Sequence, residues 1–208
     1  MLWIRGRVAK TTSGMALLIN KLTMIDVERK IIFTHPQKCG GTTIEAAFGW
    51  RDECVYDKIK HASLTEQIEL VESLGHKSTD FFKFSCVRNP WDIIVSWYFY
   101  DKHYDYAAAR GSFEEYAIIV LNRHTNRLDI KPFLYHCETY SIDYVIRFEN
   151  YKEDTQKIFD KFNVNWIEDH NTQIRPKDTP YQEVHTELTR ELVYEKASHS
   201  IELFGYEF

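Results

Sequence analysis

The segment that most constrains this chain is Lys30-Ile31-Ile32-Phe33-Thr34 followed by His35-Pro36-Gln37-Lys38-Cys39-Gly40-Gly41-Thr42-Thr43. A short apolar, β-branched run reads as a buried strand, the paired glycines as a turn, and Thr43 to Phe48 as a helix start. In that order they make an anion cradle. Glycines permit close backbone approach, successive N–H groups point inward at a helix N-terminus, threonine hydroxyls add donors and Lys38 supplies positive charge. The phosphate loop GxxxxGK[ST] puts its lysine after the glycines. Here it comes before them, and no magnesium-binding aspartate follows a second apolar strand, so a nucleotide kinase is the weaker reading.

Further along, Phe81 to Val87 reads as a second buried strand, and Asn89-Pro90 predicts a helix with Asn as N-cap and Pro in its first turn. That helix covers about Trp91 to Tyr100 and carries Ser96. A third strand is expected at Tyr144 to Phe148, with helices over Lys152 to Phe162 and Glu187 to His199. Strands separated by helices predict one α/β domain with a central parallel sheet and helices on both faces. In such sheets ligands sit beyond the carboxyl ends of the strands, where both candidate segments fall.

The charge balance narrows the partners. A formal net charge of −5, from 26 Lys and Arg against 31 Asp and Glu, argues against a nucleic-acid binder and weighs against a heavily sulfated polysaccharide. Cys39, Cys54, Cys86 and Cys137 show no CxxC pair and read as reduced thiols of a cytoplasmic protein. The apolar run Met15 to Ile19 is far shorter than the roughly 20 residues of a membrane span. The histidines, His136 beside Cys137 included, show no metal-ligand spacing, and no metal site is expected.

The cradle resembles the donor-binding loop of the sulfotransferase family, K-x-x-F-x-H-x-x-K-x-G-G-T-[ST]-x-E, matched by Lys30, Phe33, His35, Lys38, Gly40, Gly41, Thr42, Thr43 and Glu45. Arg88-Asn89-Pro90 with Ser96 and Tyr98 is similar to that family's segment for the nucleotide's 3′-phosphate. Phe148-Glu149-Asn150 resembles its R-F-E-[DN]-L element, with Tyr151 in place of the usual leucine. His170-Asn171 is a loose match to a late H-x-N segment, and Phe204-Gly205-Tyr206 to the terminal F-G-Y. The resemblance covers residues 30 to 208 and sets residues 1 to 29 apart as an extension.

It implies a P-loop-like architecture and transfer of a sulfuryl group from 3′-phosphoadenosine 5′-phosphosulfate (PAPS) to a hydroxylated, carbohydrate-like acceptor, leaving adenosine 3′,5′-bisphosphate (PAP). Lys38, Cys39, Gly40, Gly41, Thr42 and Thr43 would hold the 5′-phosphosulfate, with Lys38 on the bridging oxygen, and Arg88 and Ser96 would hold the 3′-phosphate. His61, in Lys60-His61-Ala62-Ser63, is similar to the histidine that carbohydrate sulfotransferases place before the second strand, and an imidazole suits a general base. Glu45 competes for that role, although a carboxylate in a helix's first turn also stabilises the helix. His35 is expected to hold the loop. The competing reading is a non-catalytic PAP- or PAPS-binding module. Tyr100, His103, Tyr104, Tyr106, Phe113 and Tyr116 suit a sugar- or phenol-binding groove or a core equally.

Overall fold

A computed structural model of the chain describes residues 23–50, 60–123, 128–167, 174–176 and 179–208. Most of the stretch 1–29, with its run Met15 to Ile19, lies outside them, as do Cys54 and His170-Asn171.

The strand over the first motif, β2 (Ile31–Thr34), is buried along its whole length, as an apolar run without alternation requires. It pairs in parallel with β3 (Phe82–Val87), Ile31 opposite Phe82, and β3 pairs in parallel with β6 (Tyr144–Arg147), Phe84 opposite Tyr144. A two-residue strand, β1 (Ile25–Asp26), adds antiparallel to the outer side of β2. The order is β1-β2-β3-β6, an α/β sheet with a parallel centre and one antiparallel edge. A separate hairpin joins β4 (Tyr135–His136) and β5 (Thr139–Tyr140).

Helices flank this sheet. The first, α1 (Gly41–Phe48), starts at Gly41, two residues ahead of the expected Thr43, because Gly40 takes the left-handed conformation at its N-cap. Next comes α2 (Leu64–Ser73), closed by a reciprocal capping box between Ser63 and Glu66. In α3 (Pro90–His103) Asn89 caps as its sequence predicts, its side chain accepting from the Trp91 N–H at 3.0 Å. The chain continues through α4 (Phe113–Arg123) and α5 (Lys131–Leu134) to α6 (Tyr151–Phe162), α7 (Tyr181–Val184) and α8 (Glu187–Phe204). That last helix outruns the expected stop at His199, since its left-handed terminator is Gly205, although Ala197 breaks the helical backbone inside it.

The core runs from Phe33 and Phe84, whose rings stack at 4.7 Å, through Phe48 and Trp50 to Phe159. Ile32, Phe33, Phe84 and Cys86 are fully buried, which anchors the strands while their carboxyl ends lead into the loops at His35 and Arg88.

Candidate active site

Between β2 and α1 the chain turns on two glycines that are held for different reasons. Gly40 has φ 86°, and a Cβ there would lie 2.7 Å from the Tyr151 ring. Gly41 has no room for a Cβ because the His35 ring packs onto it. The Gly40 N-cap offers no side-chain hydrogen bond, so the first N–H groups of α1 lack the usual capping partner at their open end. Tyr151 closes the turn from behind, its hydroxyl donating to the Gly40 carbonyl at 2.6 Å.

Lys38 precedes the glycines, itself left-handed at φ 62°. Its ammonium lies 3.9 Å from the centre of the Tyr100 ring, a cation–π contact that holds the side chain. Burial and the neighbouring Arg88 charge bring its pKa down to about 8. Cys39 is buried with its thiol toward the Gln37 carbonyl, and burial pushes its pKa up to about 12. Only its N–H is suited to touch an anion. Thr42 is half-buried and Thr43 buried.

A second cluster sits behind the cradle. His35 Nδ1 is hydrogen-bonded to Glu45 Oε1, and Lys60 reaches the other carboxylate oxygen at 3.0 Å. Burial holds the His35 pKa below its ordinary value. Burial alone would raise Glu45, but the His35 hydrogen bond and the charge of Lys60 outweigh it and lower the pKa. The pair is therefore a neutral imidazole donating to a carboxylate, with Lys60 as counter-ion. Glu45, with 3% of its side chain exposed, is enclosed by these two partners. His61 packs edge-on against His35, and its Nδ1 lies 2.6 Å from the His35 backbone oxygen. A carbonyl only accepts, so His61 carries its proton on Nδ1 and leaves Nε2 as the basic nitrogen. Burial, then the neighbouring His35, lowers its pKa to about 4.

The third group begins at Arg88, where β3 ends. Its guanidinium donates through Nε to Asp92 Oδ2 at 2.7 Å, with Nη2 in ion-pair contact with the same oxygen at 2.7 Å, and through Nη1 to the Lys38 carbonyl at 2.9 Å. It also lies 3.9 Å from the centre of the Phe148 ring. An arginine has five N–H donors, so two remain for a ligand. Asp92 in turn binds Arg175, and Ser96 one turn further along α3 has a half-buried hydroxyl with no partner among the described residues.

With this geometry in view, a match to the sulfotransferase family runs over residues 21–207. The chain belongs to the sulfotransferase family. No curated protein and no solved structure matches it.

Within this sulfotransferase the late elements brace the site. Glu149 Oε1 accepts from the Asn89 N–H at 2.6 Å, and the Asn89 amide donates to the Glu207 carbonyl at 3.0 Å. Sequence reasoning missed Lys60, Asp92, Arg175 and the role of Tyr151. Tyr151 did leave a signal, since it stands where the family pattern has leucine, and Asp92 lies four residues after Arg88. The aromatics of the expected groove divide: Phe113 and Tyr116 are core, while Tyr100, Tyr104 and Tyr106 are exposed. Among the described residues no cluster of His, Cys, Asp and Glu is arranged to hold a metal, and no helix is long and apolar enough to cross a membrane.

Proposed function

We propose that this sulfotransferase moves the sulfuryl group of PAPS to a hydroxyl of a carbohydrate-like acceptor. The N–H groups of Gly40, Gly41 and Thr42, with Thr42 and Thr43, hold the 5′-phosphate end of the donor. Arg88 and Ser96 hold the 3′-phosphate, which separates PAPS from ATP. The observation that carries the reading is the hydrogen bond from Arg88 Nη1 to the Lys38 carbonyl, which joins two segments 50 residues apart into one cationic site.

In the transfer, the acceptor oxygen forms a bond to sulfur as the bond from sulfur to the bridging oxygen breaks, and PAP leaves with that electron pair. Sulfuryl transfer of this kind depends on alignment and charge stabilisation, as phosphoryl transfer does. Lys38 meets the negative charge growing on the bridging oxygen. His61 Nε2 takes the acceptor proton. Its pKa of about 4 keeps the nitrogen unprotonated at neutral pH, and the anionic donor beside it raises its basicity toward that of an effective base. Glu45 acts through His35 and Lys60, not on the acceptor.

The same low pKa favours a second reading, a module that binds PAP or PAPS without turnover, since a weak base serves catalysis poorly. Calorimetry of PAP against wild type, Lys38→Ala and Arg88→Ala, with ADP as control, tests the donor site. Micromolar binding that needs the 3′-phosphate, and weakens most in Arg88→Ala, supports it; equal binding of ADP overturns it. Release of PAP from PAPS in the presence of acceptors then separates enzyme from module.

A further inference from the structure

Along α3 the residues that meet the donor and the residues that stay open to solvent fall on one stripe. Asp92, Ser96, Tyr100 and Tyr104 recur every four residues, and side chains so spaced lie on one helix face, about 6 Å apart along the axis. The stripe begins at the carboxylate that orients Arg88, passes the Ser96 hydroxyl, and reaches Tyr100, against which Lys38 packs. It ends at Tyr104, whose ring centre is 4.8 Å from that of Tyr100 and which is 53% exposed. An aromatic platform therefore continues directly from the lysine assigned to the reacting sulfate ester, on the side away from the 3′-phosphate residues.

The cations of this region lie off the platform or are paired. Lys102, two residues from both Tyr100 and Tyr104 and so on the opposite side of the helix, has its ammonium at the Tyr98 hydroxyl at 3.2 Å, and Arg110 forms a two-point pair with Asp105, both contacts at 2.9 Å. The His103 ring packs edge-on against Tyr104 at 4.9 Å. Asp101 accepts from the Tyr116 hydroxyl at 2.7 Å and adds negative charge beneath the stripe. A polyanionic chain needs several available cations along its track, and among these described residues only Lys38 faces the platform. The platform is also open, whereas pockets for small aromatic alcohols enclose most of their ligand. Exposed tyrosine rings beside a transfer centre suit a ligand that is apolar on one face, hydroxylated at its edge and longer than the platform itself.

We infer that the acceptor is a neutral oligosaccharide, one of whose rings stacks on Tyr104 and the edge of Tyr100 while a hydroxyl of that ring or its neighbour reaches the sulfuryl group beside Lys38. This rests on the donor reading above and adds the acceptor's class and footprint. Tyr104 is a specificity-determining residue and takes no part in the chemistry.

The test uses the full chain saturated with PAP on an array of neutral, uronate-bearing and sulfated oligosaccharides, beside calorimetry of PAP itself and PAP release from PAPS with 2-naphthol. Retention on neutral oligosaccharides is expected, reduced about tenfold in Tyr104→Ala and kept in Tyr104→Phe, with PAP affinity unchanged in both. Retention confined to anionic saccharides, retention of no neutral oligosaccharide, efficient turnover of 2-naphthol without saccharide binding, or an unaltered Tyr104→Ala overturns the inference. If wild type fails to bind PAP, the donor reading falls first, and the calorimetry shows this independently.

Discussion

His61 Nδ1 lies 2.6 Å from the backbone oxygen of His35, which fixes the imidazole tautomer from a residue of the donor loop itself. The proposed base and the proposed donor cradle are thus tied to one stretch of backbone. His61→Asn retains an N–H for that carbonyl and removes the basic nitrogen, so turnover is expected to fall by about 10²–10⁴ while PAP affinity by calorimetry stays within about twofold. An Asn variant with wild-type turnover would remove His61 from the mechanism.

In the proposed mechanism the Lys38 ammonium, with its pKa of about 8, must be charged to meet the donor. Its charged form is lost as pH rises, so kcat/KM for PAPS and the affinity for PAP are expected to decline above about pH 8. In Lys38→Arg, whose guanidinium stays protonated, the decline in PAP affinity should disappear. A basic limb that survives that substitution belongs to another group.

Burial of neutral His61 links stability to pH. Its folded pKa of about 4 lies below its ordinary 6.5, so on acidification the unfolded chain takes up the proton first and stability is lost from pH 6.5 down to about 4. Urea unfolding across that range should give a shallower slope for His61→Asn. His35 and His185, lowered in the same direction, contribute to the slope that remains.

Tyr151 and Gly40 form the third testable contact. Tyr151→Phe removes a half-buried hydrogen bond and is expected to cost about 0.5–1.5 kcal/mol in urea unfolding. A looser cradle should also weaken PAP binding by about fivefold. Stability that falls with PAP affinity unchanged would make the contact a fold support alone. Gly41→Ala is harsher, because the added methyl meets the His35 ring. It should cost about 1–3 kcal/mol and abolish PAP binding.

Much of this site could be read in the sequence because its signals are local. The left-handed Gly40, the Asn89 cap and the proline after it act within a turn of their own backbone, so the loop and the start of α3 were predictable from a few residues. The edge strand β1, two residues long, carries no periodicity to read and gains its place from pairing with Ile31 and Ile32. The contacts that sort roles within the site join distant segments: Lys60 to Glu45, Arg175 to Asp92, Tyr100 to Lys38. Glu45 competed with His61 as a candidate base because spacing does not reveal burial. Only the tertiary structure shows that one is enclosed by two partners while the other keeps a basic nitrogen.

The hydrogen bond between Tyr151 and Gly40 spans 111 positions of the chain. A ribosome therefore delivers the glycine turn long before the tyrosine that steadies it, and contacts of such separation are slow to form because a long loop must close first. The residues of β2 and α1 are therefore synthesised well before the contact that completes the cradle. On the proposed donor reading, nucleotide capture needs β6 and the start of α6 in place, and added PAP should pull slowly folding variants toward the native state by mass action.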